Sequence, residues 1–145
     1  MAVKVKELHH TALRFPPEKA NEVLGFYADV FGMSKDPIRD RIPTPVPGAW
    51  LNVGEEGRST TQIHLMGIEP VFPDAEEAPN AGRPHIALAV DDLDEAKAEL
   101  DRLGVPWSQA GVPGLGLVQV IVADPAGNVY EIHDIHACDC VKLPR

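Results

Sequence analysis

The chain has 145 residues, 44% hydrophobic and 24% charged, enough for about one domain at roughly 150 residues each, with about two thirds of the unfolded surface buried. Acidic residues outnumber basic ones by 22 to 13, for a net charge of −9, which argues against nucleic acid and against an anionic membrane surface, since both call for a basic face. No apolar run approaches the roughly 20 residues that span a bilayer, Met1–Glu7 lacks a signal peptide's apolar core, and Cys138 and Cys140 stand too close together for an unstrained bridge, so a cytoplasmic protein without disulfides is expected.

Residues 6–15 open the chain with a β-rich run. Residues 18–32 follow with Ala20, Val23, Leu24, Tyr27 and Phe31 at helical spacing. A second strand is expected at 36–42, before the proline-rich loop Ile42–Gly48, and further strands at 49–53 and 60–67. The acidic, proline-containing stretch 68–83 reads as a solvated loop or lid. A strand at 84–91 opens the second half. A helix at 92–103 follows, with Asp92 and Glu95 spaced as a capping box and Gly104 suited to its C-terminus. The last strands fall at 105–109, 116–123 and 127–134, the final two joined by the turn Asp124-Pro125-Ala126-Gly127-Asn128. Two helices and many strands imply an α+β fold with the helices outside a curved mixed sheet.

The halves repeat. His10-Thr11-Ala12-Leu13 matches His85-Ile86-Ala87-Leu88, a helical segment ending in glycine follows each, and the closing strands Gln62-Ile63-His64-Leu65 and Tyr130-Glu131-Ile132-His133 correspond. Four of the metal-type side chains therefore occupy matched places: His10 and His85 in the opening strands, His64 and Glu131 in the closing ones. Imidazole nitrogen and carboxylate oxygen suit zinc, nickel, cobalt, manganese or ferrous iron. If the two sheets face each other, all four converge on one ion. Strand alternation puts His9 and His10 on opposite faces, and Gln62 and His64 on the same face. His133 shares a face with Glu131 and reads as a solvated strand end. Trp50 either walls a pocket or fills the core, and Arg14 either meets a carboxylate substrate or forms a rim salt bridge. His136 with the two tail cysteines forms a small cluster that reads as incidental.

Over residues 7 to about 134 this ordered set of motifs resembles the vicinal oxygen chelate superfamily. Its carriers are His10–Leu13, Phe26–Gly32, Gln62–Leu65, His85–Asp92 and Asp124–Glu131. The superfamily includes glyoxalase I, methylmalonyl-CoA epimerase, extradiol dioxygenases, fosfomycin-resistance enzymes and bleomycin-binding proteins. The resemblance implies a single domain of two paired βαβββ modules, about 6–67 and 84–134, forming a cupped, partly open eight-stranded sheet around a divalent metal. Carried over position by position, the ligands fall on His10, His85 and Glu131, with a fourth on Gln62 or His64. His64 fits the family's I-E-L frame better and has the stronger donor. The implied chemistry is proton transfer on a small oxygen-rich substrate, with Glu131 as ligand and base and the metal stabilising an enolate or oxyanion. Two alternatives stand beside it: a ferrous extradiol-type dioxygenase using His10, His85 and Glu131, and a metal-free protein that sequesters an aromatic ligand. Fosfomycin-type transfer would need cations such as Arg14 or Arg83. A homodimer is expected from the resemblance alone.

Overall fold

A computed structural model describes residues 8–54, 61–69, 79–80, 85–112 and 117–136. The expected lid over most of 68–83, Arg83 and the tail cysteines lie outside the described residues. The chain divides into two compact units, Met1–Pro73 and Asp74–Arg145.

In the first unit, β1 (His10–Arg14) leads through a 3-10 turn (Pro17–Lys19) into α1 (Ala20–Asp29), then to β2 (Gly48–Val53) and β3 (Thr61–Met66). The sheet order is β1-β3-β2, with β1 parallel and β2 antiparallel to the central β3. One face carries Ala49, Leu51, Ile63 and Leu65, all buried. α1 packs on β2 and adds Val23 and Tyr27, both fully buried. The other face carries His10, Ala12, Trp50, Asn52, Gln62 and His64, because registered partners share a face and side chains alternate. Gly48 is fixed by close approach: a Cβ there would stand 2.1 Å from the Leu65 carbonyl oxygen.

The second unit contains β4 (His85–Val90), α2 (Leu93–Leu103), β5 (Trp107–Val112), β6 (Leu117–Ala123) and β7 (Val129–Asp134). They form a four-stranded sheet in the order β4-β7-β6-β5. α2 packs on β7 and supplies buried Leu100, while Val120, Val122, Tyr130 and Ile132 fill the core. The Asp92 carboxylate caps α2 by accepting from the N–H groups of Asp94 and Glu95, each at 2.9 Å.

Both units are mixed α+β, as expected, and two of the departures from the expected elements have a clear local cause. The strand expected at 36–42 is a 3-10 helix, Pro37–Arg41. Asp36 caps it by accepting from Ile38 N–H at 2.9 Å, and Pro37 occupies its first turn. Strand pairing survives only up to that point. Asn52 N–H donates to the Ser34 carbonyl, Asp36 N–H donates to the Trp50 carbonyl, and Lys35 bridges Leu51. The described strands therefore number seven, not eight. In the second unit β5 starts at Trp107 rather than 105. Val105 N–H donates to Leu100 C=O and Gly104 N–H to Asp101 C=O, with Gly104 at φ 69°. This Schellman closure holds Val105 to the helix, and Pro106 has no N–H to offer a ladder.

Candidate functional site

The register settles which residues are equivalent. In the first unit Ala12 pairs with His64. In the second Ala87 pairs with Glu131. Each opening histidine, His10 or His85, lies two residues before that alanine on the same strand face. His64 and Glu131 are thus counterparts, and the counterpart of Gln62 is the apolar Val129.

In the first unit three rings are stacked across the sheet. His64 lies on central β3, its ring 4.0 Å from that of His10 and 9° from parallel to it. On its other side the Trp50 indole stands 4.4 Å away at 8°. Trp50 therefore belongs to the candidate site face and not to the apolar core. His9 was expected on the opposite face, yet its Nδ1 lies 2.9 Å from His10 Nδ1. Strand alternation does not apply there, because β1 begins only at His10. One of these two nitrogens carries the shared proton, so each ring keeps its Nε2 for another partner. Arg14 ends β1 on the His10 face and is exposed.

A polar chain fixes His64. Its Nε2 is 3.0 Å from Gln62 Oε1. Gln62 Nε2 donates to Asp36 Oδ2 and to Asn52 Oδ1, both at 2.9 Å. Asn52 Nδ2 donates in turn to Ser34 Oγ at 3.2 Å. The Asp36 carboxyl is held below its usual pKa by the Ile38 N–H and the Gln62 amide. The His64 imidazole is pushed below its usual pKa, mainly by burial and then by the neighbouring His10 and His9, which favours a neutral ring at pH 7.

In the second unit Glu131 is only 7% exposed. Its Oε2 stands 3.3 Å from His85 Nε2, and Gln119 Nε2 donates to its Oε1. His133 Nδ1 is 3.8 Å from the same Oε1, is buried, and has no hydrogen-bond partner among the described residues. His133 is thus no solvated strand end. The position of Glu131 depends on the preceding turn. Asp124 Oδ1 accepts from Ala126 and Asn128 N–H at 2.9 and 2.8 Å, and its Oδ2 accepts from Asn128 Nδ2 at 2.7 Å. Gly127 sits at φ 87°, a left-handed conformation suited to glycine.

Among the described residues no three His, Cys, Asp or Glu side chains gather around one point; His10 stacks on His64 in the first unit, and His85 stands beside Glu131 in the second. The donors suit a divalent cation. Carboxylate oxygen and imidazole nitrogen, as paired in Glu131 and His85 at 3.3 Å, are donor types that such ions take.

The family model for the Glyoxalase/Bleomycin resistance protein/Dioxygenase superfamily matches residues 7–132. The chain belongs to this superfamily. Solved structures show the same fold. A glyoxalase family protein from Bacillus anthracis is 24% identical with a TM-score of 0.69, covering 92% of this chain and 98% of that one. Lactoylglutathione lyase from Agrobacterium tumefaciens is 21% identical with a TM-score of 0.63, covering 90% and 95%. A variant of the fosfomycin resistance protein FosX from Listeria monocytogenes, complexed with Mn(II) and dihydroxypropylphosphonic acid, is 14% identical with a TM-score of 0.65, covering 90% and 93%. No curated protein matches the chain. No helix among the described residues is long and apolar enough to cross a membrane.

Proposed function

We propose that this chain is a divalent-metal-dependent enzyme of the glyoxalase type, holding its ion with His10, His64, His85 and Glu131 and moving a proton on a small oxygen-rich substrate. The observation that carries the reading is the matched register, which gives each unit one opening-strand histidine and one closing-strand donor in equivalent places. Superfamily membership supports it, as do a lyase and a Mn(II)-bound resistance protein among similarly folded structures.

When bound, the ion supplies Lewis-acid stabilisation of negative charge developing on a substrate oxygen. The protein's own groups do the rest. Glu131 takes the proton from carbon next to a carbonyl. Gln119 donates to Oε1 and so fixes the orientation of that carboxylate. The Trp50 ring gives the site a flat apolar wall, and Arg14 offers a guanidinium to an anionic substituent. In this reading the protein works in the cytoplasm as a homodimer, with a small molecule as its partner.

Elemental analysis of protein purified without added metal tests the proposal, together with thermal shifts on adding Zn, Ni, Co, Mn or Fe(II). Bound metal, or stabilisation that His85→Ala and Glu131→Ala both abolish, is expected. Metal-free protein indifferent to all five ions would instead favour a sequestering module. Oxygen uptake with catechols after anaerobic Fe(II) loading would favour a dioxygenase.

A further inference from the structure

We propose that Gln62 is the positioning residue of the first unit's half-site: clamped by Asp36 and Asn52, its carbonyl holds His64 as the Nε2–H tautomer and leaves Nδ1 as the nitrogen offered to a cation. The offer to a cation rests on the metal reading above; the tautomer does not.

An ionised carboxylate accepts hydrogen bonds and cannot donate. Asp36 Oδ2, 2.9 Å from the Gln62 amide, must therefore face its NH2 end. The same NH2 lies 2.9 Å from Asn52 Oδ1, and Asn52 turns its own NH2 to Ser34 Oγ. With both amide hydrogens of Gln62 engaged, its oxygen is left facing His64 Nε2 at 3.0 Å. A carbonyl oxygen only accepts, so Nε2 must bear the hydrogen, and on a neutral ring Nδ1 is then bare. Trp50 and His10 stack on the two faces of that ring, so it cannot tilt freely to exchange nitrogens. Gln62 is consequently engaged in orienting a ligand and is not itself the fourth ligand. This network is particular to the first unit, since the counterpart of Gln62 in the second is Val129.

The test is a long-range 1H–15N spectrum of the metal-free full chain with 15N-labelled histidine, at neutral pH. His64 is assigned as the signal missing from His64→Asn. The expected result is a protonated Nε2 and a bare Nδ1. A protonated Nδ1 would overturn the proposal. Gln62→Leu should turn the ring into a tautomer mixture and weaken Zn(II) binding by about 10–100-fold, as loss of a ligand's hydrogen-bond partner commonly does. An unchanged tautomer in Gln62→Leu would show that Gln62 is not the cause. If the spectra behave as expected but wild-type protein takes up no Zn(II), the metal reading fails and the tautomer assignment stands. The wild-type spectrum alone decides the tautomer even if a variant folds poorly.

Discussion

The two units repeat one strand register and use it differently. In the second, β5 continues to Val112, and the closing strand's donor is the carboxylate of buried Glu131, paired opposite buried Ile121, with one amide, Gln119, on it. In the first, the corresponding edge stops at Asp36 because Pro37 turns the chain away. That interruption frees the Asp36 carboxylate to reach across to Gln62. The donor there is an imidazole steadied by ring stacking and a polar chain. A burial-based support therefore stands beside a network-based one, and the same backbone pairing accommodates both.

That contrast is open to attack, beginning with the largest expected effect. Glu131→Ala should reduce divalent-metal affinity by more than the roughly 100-fold upper range for loss of a neighbouring hydrogen bond, and by more than His64→Ala does in the same calorimetric titrations. Equal losses would mean that burial confers no advantage on the second half. Asp124→Ala should cost about 1–3 kcal/mol in urea unfolding, because it strands the buried Asn128 amide and two backbone N–H groups. Trp50→Ala should lower stability by about 0.5–1.5 kcal/mol beyond lost area, the usual worth of an aromatic pair. The smallest effect concerns pH. The folded pKa of His64 lies below its unfolded value, so the unfolded chain binds the proton first. Stability should be at its full value above about pH 6.5 and decline as the pH falls through that region. His64→Asn should flatten this slope in unfolding curves measured across pH.

Much of this was legible in the residues. The duplicated opening strands announce themselves through H-x-A-L, and the α2 boundaries follow from Asp92 and Gly104, each with a local mechanism. That His64 rather than Gln62 corresponds to Glu131 needed the register, which ties Ala12 to His64 as Ala87 is tied to Glu131. The supporting residues were harder to see. Asp36 lies 26 positions from Gln62, and Gln119 lies 12 from Glu131. Such contacts are made by tertiary pairing and leave no spacing signal. One clue was present: Asp36 directly before Pro37 is an N-cap followed by a favoured first helical residue, which reads as a helical turn rather than a strand. His9 escapes alternation because the strand starts only at His10, and His133, near a strand end where side chains are often wet, is instead packed beside Glu131.

The ring stack has a practical consequence. The chain has two tryptophans: Trp50, lying flat on His64, and Trp107, whose indole N–H is bonded to Asp101 at 2.8 Å beside the end of α2. An indole in van der Waals contact with an imidazole senses any change of charge on it. Emission from Trp50 therefore serves as a built-in optical probe of what His64 binds, and a Trp107→Phe background would isolate its signal without any added dye.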